Sequence, residues 1–419
     1  MLNFKINSTE IDKIGKFTKE EKDFRLKNLD YFNEVGFPNK KHEDWKFSDL
    51  KEIVSKNFTK LDVKFPIQKN PNIEFIKDFE HNYIVVINGE LTSSDFRFEE
   101  KDKIELRIFS NDNFLDKKEN NPLINLNHAL ANKGYLLEVK ENYKFKKVLV
   151  IYSLYTDGLN EVILNSRNKI KIGKNSELHV LNLVINDSNK NFFNNIYEDI
   201  TLENLASFKN VYVHNGRSSG YFHKYSKNKL SKGSNFSSFI FPSGSKFNKL
   251  DLEFNLDGEN CECNLQSASF LNEIDHQEIK TRINHNFPNC KSYQKVKNVL
   301  DFESRGIYQG KIFVKDVAQK TDAYQLSKAL LLNERSEFNS KPELEIYADD
   351  VKCSHGSSSG SLDKDSIYYL MTRGLNKKES IKLLVNGFLS EVIESIKSNS
   401  IRTFLKTKLE SQLYGYKKY

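Results

Sequence analysis

The sequence predicts a mainly β protein, a β-helix core flanked by an α-helical segment at each end. Three observations carry that reading. From Tyr83 the chain turns β-rich, and between about Tyr135 and Ala348 it is a succession of short strand-like runs, while sustained helical spacing gathers in 8–58 and beyond Asp363. A faint repeat crosses the middle: Ile172-x-x-x-Ser176-x-Leu178 returns as Leu202-x-x-x-Ala206-x-Phe208 and Leu230-x-x-x-Ser234-x-Phe236, with a looser copy around Cys261. A period near 28 residues is a solenoid period, and a small residue at a turn followed by an inward apolar one lets coils stack. The expected divisions are 1–82 (helical segment and linker), 83–360 (β-helix core) and 361–419 (C-terminal helices).

Taken in order, Thr18-x-x-Glu21 predicts a helix start, followed by the stripe Phe24, Leu26, Leu29 and Phe32. Gly36-Phe37-Pro38 ends it, because proline disfavours a helical residue before it. Trp45, the one tryptophan, stands beside Phe47, Leu50 and Ile53 and reads as an anchor onto the body. Residues 60–82 read as a connection broken by Pro66 and Pro71. Strands are then expected at YIVVING, KVLVIYSLY, EVILNS, SELHVLNLVI, FKNVYVH, FSSFIF, LDLEFNLDG and GKIFVKD. Within this region 325–332 alone has a spacing that fits a helical turn. After Asp363, helices are expected through Ile367, Tyr368, Leu370 and Met371, then from an Asn376-x-x-Glu379 cap, then from Ser400. Their apolar stripes read mainly as intramolecular core.

Composition narrows the function. The formal charge of +7 is spread along the chain, with Lys interleaved among Glu and Asp, whereas a nucleic-acid binder concentrates its cations on one element. The N-terminus lacks an apolar signal-peptide core, and runs such as 148–154 are far shorter than the roughly 20 residues of a membrane span. Four cysteines make no disulfide framework for a chain of 419 residues, so the expected setting is cytoplasmic and reducing. Cys261-x-Cys263 lacks a second pair at zinc spacing, and buried packing is the expected role. His276 and His285 read as hydrogen-bonded structural histidines. There is no G-x-x-x-x-G-K-[ST] loop, G-x-S-x-G elbow or H-E-x-x-H, so any ATP use falls to a partner. A β-helix enzyme acting on polysaccharides would need clustered acids. The adjacent Asp349 and Asp350 point to opposite faces if the strand continues through them, which argues against a catalytic pair.

The stretch LEIYADDVKCSHGSSSGSLDKDSIYYLMTRG concentrates the chemistry. An extended backbone places Val351, Cys353 and His355 on one face. A thiol beside an imidazole is a pair of soft metal ligands, and equally a packed cysteine beside a hydrogen-bonded histidine; spacing alone leaves both open. Gly356-Ser357-Ser358-Ser359-Gly360 reads as a free turn before the next helix.

The block 318–356, AQKTDAYQLSKALLLNERSEFNSKPELEIYADDVKCSHG, followed by YYLMTRG, resembles the SufB/SufD family of the SUF iron–sulfur cluster assembly machinery, its SufD branch in particular. Glu43-x-Trp45-Lys46, and His285 before Pro288, resemble the same family. The stretch AYQLSKALLLNE lacks the sulfur-receiving cysteine that the SufB branch would carry, and Ser357-Ser358-Ser359 replaces the family's more usual Ala-Thr and apolar residue. The resemblance implies a right-handed parallel β-helix and a non-catalytic scaffold that pairs with SufB through its core. It also implies that the ATPase SufC docks on the C-terminal helices and that an iron–sulfur cluster is held transiently. It makes His355, with Cys353 the weaker candidate, the residue at the SufB interface that contacts the nascent cluster.

Overall fold

A computed structural model describes residues 5–63, 73–109, 120–215 and 218–415, so the breaks read at Pro66 and Pro71 lie outside the described residues. The N-terminal helices are α1 (Thr9–Ile14), α2 (Lys19–Val35) and α3 (Leu50–Asn57). The body opens with β1 (Asn82–Ile87), β2 (Glu90–Asp95), β3 (Ile104–Ile108) and α4 (Pro122–Leu130). Eight coils follow, each giving one strand to each of two sheets. Their strands are β4 (Lys133–Val139) with β5 (Leu149–Tyr155), and β6 (Ile163–Ile172) with β7 (Glu177–Asn186). Next come β8 (Phe193–Leu202) with β9 (Ser207–Asn215), and β10 (Ser218–Leu230) with β11 (Asn235–Phe241). Then β12 (Ser245–Leu256) pairs in a coil with β13 (Glu262–Leu271), and β14 (His276–His285) with β15 (Lys291–Leu300). The last are β16 (Arg305–Val314) with β17 (Thr321–Leu331), and β18 (Glu337–Ile346) with β19 (Val351–Ser361). Three helices close the chain: α5 (Lys364–Thr372), α6 (Lys377–Ile393) and α7 (Asn399–Gly415).

Successive coils stack as parallel strands, so the molecule is the expected parallel β-solenoid with helices at both ends. The repeat seen in the sequence is its corner. Asn175, Leu205, Gly233, Asn260 and Asn289 all take φ between 56° and 68°, where the chain swings from one sheet into the other. Asparagine tolerates this left-handed region better than most residues, and glycine enters it freely. The residue that follows each, Ser176, Ala206, Ser234, Cys261 or Cys290, is buried beneath the turn, where a large side chain would push coils apart. Two positions further on, Leu178, Phe208, Phe236 and Cys263 form one inward column, each directly beside the next. The stretch 325–332 is not helical. Residues through Leu331 belong to β17, held on both sides by β15 and β19, because ladder hydrogen bonds and burial override a weak helical spacing.

Each sheet has its outer face covered. Helices α6 and α7 lay Val385, Leu389, Val392, Leu405 and Leu409 over Tyr152, Leu181, Val213, Phe241 and their neighbours. The N-terminal segment covers the other sheet. Thr18 caps α2 by accepting from the Glu21 amide at 3.2 Å. Buried Arg25 then donates to the Ala129 and Ala131 carbonyls at the end of α4, 2.8 and 2.9 Å away. Trp45 is the expected anchor: it is fully buried, stacks on Phe247, and carries the Lys249 ammonium 4.6 Å from its ring centroid. Beneath it lies a dry ionic cluster. Lys249 pairs with Glu278, and with Asp251 at 3.6 Å. His223 bonds Asp251 at 3.2 Å, while the Ser48 hydroxyl donates to Glu278. No helix among the described residues is long and apolar enough to cross a membrane.

Two outcomes follow from this burial. Glu278→Ala removes the nearer of the two carboxylates on the buried Lys249 ammonium and leaves it only the longer Asp251 pair at 3.6 Å, which costs up to about 3–5 kcal/mol. Chemical denaturation followed by the emission of Trp45 should show that loss; an unchanged midpoint would mean that water reaches Lys249. Burial also pushes the pKa of His214 and His285 down to about 4, and that of His276 to about 3, from 6.5. The unfolded chain therefore binds protons that the folded chain refuses as pH falls below 6.5, and stability falls with it. Denaturation midpoints at pH 8, 7, 6 and 5 should be level above pH 7 and decline below 6.5.

Candidate functional site

The site is built on the last coil. β18 ends at Ile346, and the corner that follows buries Ala348 while Asp349 and Asp350 stay exposed in the turn. Asp350 serves through its backbone: its carbonyl accepts from the Lys320 amide at 2.6 Å, and its amide donates to Gln319 Oε1 at 2.9 Å. The two aspartates lie in this turn, outside the strand, so the strand alternation expected to separate them does not reach them. The chain then enters β19, which runs through Gly356, the three serines and Gly360 without turning. The free turn expected there is absent because β17 supplies a complete parallel ladder from Thr321↔Val351 to Leu331↔Ser361. Small residues suit it: a Cβ at Gly356 would come within 3.1 Å of Leu326 Cδ1.

Cys353 and His355 do share a face, and it is the lumen face. Cys353 ends the column that continues from Cys263 through Ser292 and Ala323. His355 ends the adjacent column, after Leu265, Gln294 and Gln325. Leu265, Gln294 and Gln325 are buried, whereas His355 is exposed, since among the described residues no further coil covers it. Cys353 is half-buried and packs, with Leu344 and Val351, against the cluster of Ile312, Val314, Ala318, Ala323 and Ala348. Burial and the Asp322 carboxylate push its thiol pKa up, which keeps the sulfur protonated and makes it the poorer ligand.

The lumen beneath His355 is polar. The Tyr308 hydroxyl lies 3.1 Å from Gln294 Oε1 and 3.2 Å from Gln325 Oε1, and Thr281 donates to Gln294 at 2.6 Å. Ser327 bonds Ser340 at 2.7 Å and Ser357 at 3.0 Å. Gly310 makes room for this layer, because a Cβ there would sit 2.0 Å from Gln325 Oε1. Among the described residues no three His, Cys, Asp or Glu side chains gather to hold an ion.

The outer edges of β18 and β19 meet no further strand among the described residues. The opposite end of the solenoid is closed by the short antiparallel strands β2 and β3. Comparison with known proteins agrees with the geometry. Residues 154–388 match the model of the family described as SUF system FeS cluster assembly, SufBD core domain. The chain belongs to the SufBD family. It is 25% identical to an iron–sulfur cluster assembly SufBD family protein of Synechocystis, over 97% of this chain and 96% of that one. It is 24% identical to the iron–sulfur cluster assembly protein SufD of Escherichia coli, over 91% and 90%. A shorter stretch, 30% of this chain and 26% of its relative, is 36% identical to the chloroplastic protein ABCI7 of Arabidopsis thaliana. The SufD resemblance read from the C-terminal motifs thus extends along most of this SufBD family chain.

The remaining sequence candidates take structural places. His285 is buried and bonds Ser292 Oγ at 2.9 Å, and His276 bonds Ser48 at 3.0 Å. Cys261 and Cys263 are buried, as expected. Two charged clusters escaped the sequence reading: Lys249 with Glu278 and Asp251 under Trp45, and Lys224 with Glu198, 2.7 Å apart inside the lumen. The first had a signal. His223 and Asp251 stand 28 residues apart and Lys249 and Glu278 29 apart, the length of one coil.

The native chain should therefore react with a thiol-alkylating reagent at Cys353 first, more slowly at the corner thiols Cys261 and Cys290, and at lumen-facing Cys263 only on unfolding. Peptide mapping after timed alkylation reads this order; early labelling of Cys261 would place that corner in solvent.

Proposed function

We propose that this chain is the SufD-type scaffold subunit of an iron–sulfur cluster assembly complex. In this reading it pairs with a SufB subunit through its last coil and carries the ATPase SufC on its C-terminal helices. The observation that carries the reading is the last strand itself: β19 has a free edge and presents His355 on it. A partner strand added there would lie about 4.8 Å away, so a ligand in its lumen column would stand beside His355. The nascent cluster would be bound as cargo between the two subunits, with His355 as ligand and Cys353 as its lesser neighbour. Segment 1–82 clamps the core, 83–360 is the scaffold, and 361–419 is the unit that takes the motor. Although most of the C-terminal stripe packs inward, Tyr368, Tyr369, Met371, Leu383 and Tyr414 remain exposed on the three helices, an apolar surface suited to a partner. The protein itself is a scaffold without a reaction of its own, and ATP hydrolysis belongs to SufC.

Co-expression with SufB and SufC from the same organism, followed by size analysis and iron and sulfide assays, tests this. The expected result is a three-component complex in which His355→Ala preserves assembly but lowers cluster content at least about tenfold, the scale of losing a metal ligand's support. Cys353→Ala should lower it less. Tyr368→Ser with Tyr369→Ser should release SufC while SufB stays bound. Normal iron and sulfide in the His355→Ala complex would overturn the role given to this histidine.

A further inference from the structure

Two consecutive corners of the solenoid place a thiol at the same position. Cys261 precedes β13 and Cys290 precedes β15, so they occupy the buried corner site in neighbouring coils. The Lys291 amide donates to the Cys261 carbonyl at 2.9 Å, which makes the two residues immediate ladder neighbours. In-register parallel neighbours lie about 4.8 Å apart at Cα, inside the range of about 4.4–6.8 Å that a disulfide spans. Their side chains also converge. Cys261 Sγ and Cys290 Sγ lie 3.1 and 3.2 Å from one and the same acceptor, the Gly258 carbonyl oxygen. That carbonyl is fixed, since Gly258 sits where a Cβ would be 2.2 Å from the Lys232 amide nitrogen. No other corner of the eight coils stacks two thiols, and Cys263, which points into the lumen, faces Ser292.

We infer that Cys261 and Cys290 are a modification site, closing to a disulfide that staples the fifth coil to the sixth when a small two-electron oxidant enters. With an azo oxidant the atoms balance as follows. The Cys261 thiol gives up its proton, and its sulfur adds to one nitrogen of the N=N bond, whose other nitrogen takes that proton. The Cys290 thiolate then attacks the Cys261 sulfur, forming the S–S bond. The N–S bond breaks, and the leaving nitrogen takes the second proton. Two thiols are oxidised by two electrons, and the azo compound leaves as the hydrazine. The carbonyls of Ser231, Gly258 and Pro288 in three successive corner turns surround the thiols, and Asn260 and Asn289 in those turns are exposed, so a small reagent enters through the corner. In a reducing compartment the pair stays open as two thiols. The staple joins residues across one full coil, and it removes freedom from the unfolded chain. This inference does not depend on the assembly role proposed above.

The test uses the full chain and diamide. After oxidation, removal of the reagent and unfolding, thiol titration should fall from the four cysteines of the sequence to two. Digestion without reductant should yield one linked peptide pair joining Cys261 to Cys290. The link should persist in Cys263→Ser and Cys353→Ser, disappear in Cys261→Ser and in Cys290→Ser, and form equally at low and high protein concentration. Mapping the unaltered chain keeps the result readable if a serine variant folds poorly. The oxidised chain should also melt at a higher temperature than the reduced one, and thiol reductant should reverse that shift. Four titratable thiols after treatment, or a link that engages Cys263 or Cys353, would overturn the assignment.

Discussion

Every coil of this protein depends on the parallel ladder to the coil before it. A strand in the middle of the stack has backbone partners on both edges, one face in the lumen and, over much of its length, a helix or segment on the other. Nothing inside one coil would hold it in shape alone, so stability is passed from neighbour to neighbour. The ladder only works in register, and the corners set the register. In the coils between the first and the last, a left-handed residue followed by a buried small one brings the chain back at the same height, and amides at the corners bond from turn to turn. Leu205 donates to the Lys232 carbonyl at 2.9 Å, Gly233 to Glu259 at 2.8 Å, and Asn289 to Gln319 at 2.9 Å. Leu205 shows how strong the demand is, since a leucine is held at φ 60° with its side chain largely in solvent.

The two coverings use different physics. The C-terminal helices meet their sheet through aliphatic and aromatic side chains, a fit that tolerates exchange of one apolar residue for another of like volume. The N-terminal segment also packs apolar side chains on the other sheet, Phe37 on Phe193 and Phe58 on Tyr221, and adds to them an aromatic ring laid over a buried ion cluster. Such a cluster adds little net stability against an apolar replacement, yet it penalises any misplacement, because an unpaired ammonium or carboxylate in that dry layer is costly. The second contact therefore specifies position more sharply than the first.

How much of this was legible in the sequence follows from the same ladder. Coils whose inward residues are large and apolar, at Leu178, Phe208 and Phe236, announce the period directly. Past Cys263 the same column holds Ser292, Ala323 and Cys353, so the pattern fades although the geometry does not. The Gly/Ser run read as a turn for the same reason: its strand character comes from β17, some thirty residues away, and not from its own side chains. Cys353 and His355 were placed on one face correctly by alternation. That this face is the lumen, and that His355 sits uncovered at its mouth, required knowing that the stack stops there. The Lys249 cluster was hidden because its members meet only when coils are superposed and the segment around Trp45 is laid on top.

One consequence concerns how many copies of such a solenoid can join. β19 and β18, eleven and ten residues long, are the terminal edges at one end, while the other end finishes in the six-residue β2 and five-residue β3, turned antiparallel. Short edge strands that reverse direction make poor templates for further pairing. A stack with two good ends would add units head to tail and grow into a fibre. With a single good end, joining edge to edge uses up both units' capacity at once, and growth halts at a closed pair. For a solenoid that joins through its edges, the asymmetry of the two ends would thus limit stoichiometry through strand length and direction alone.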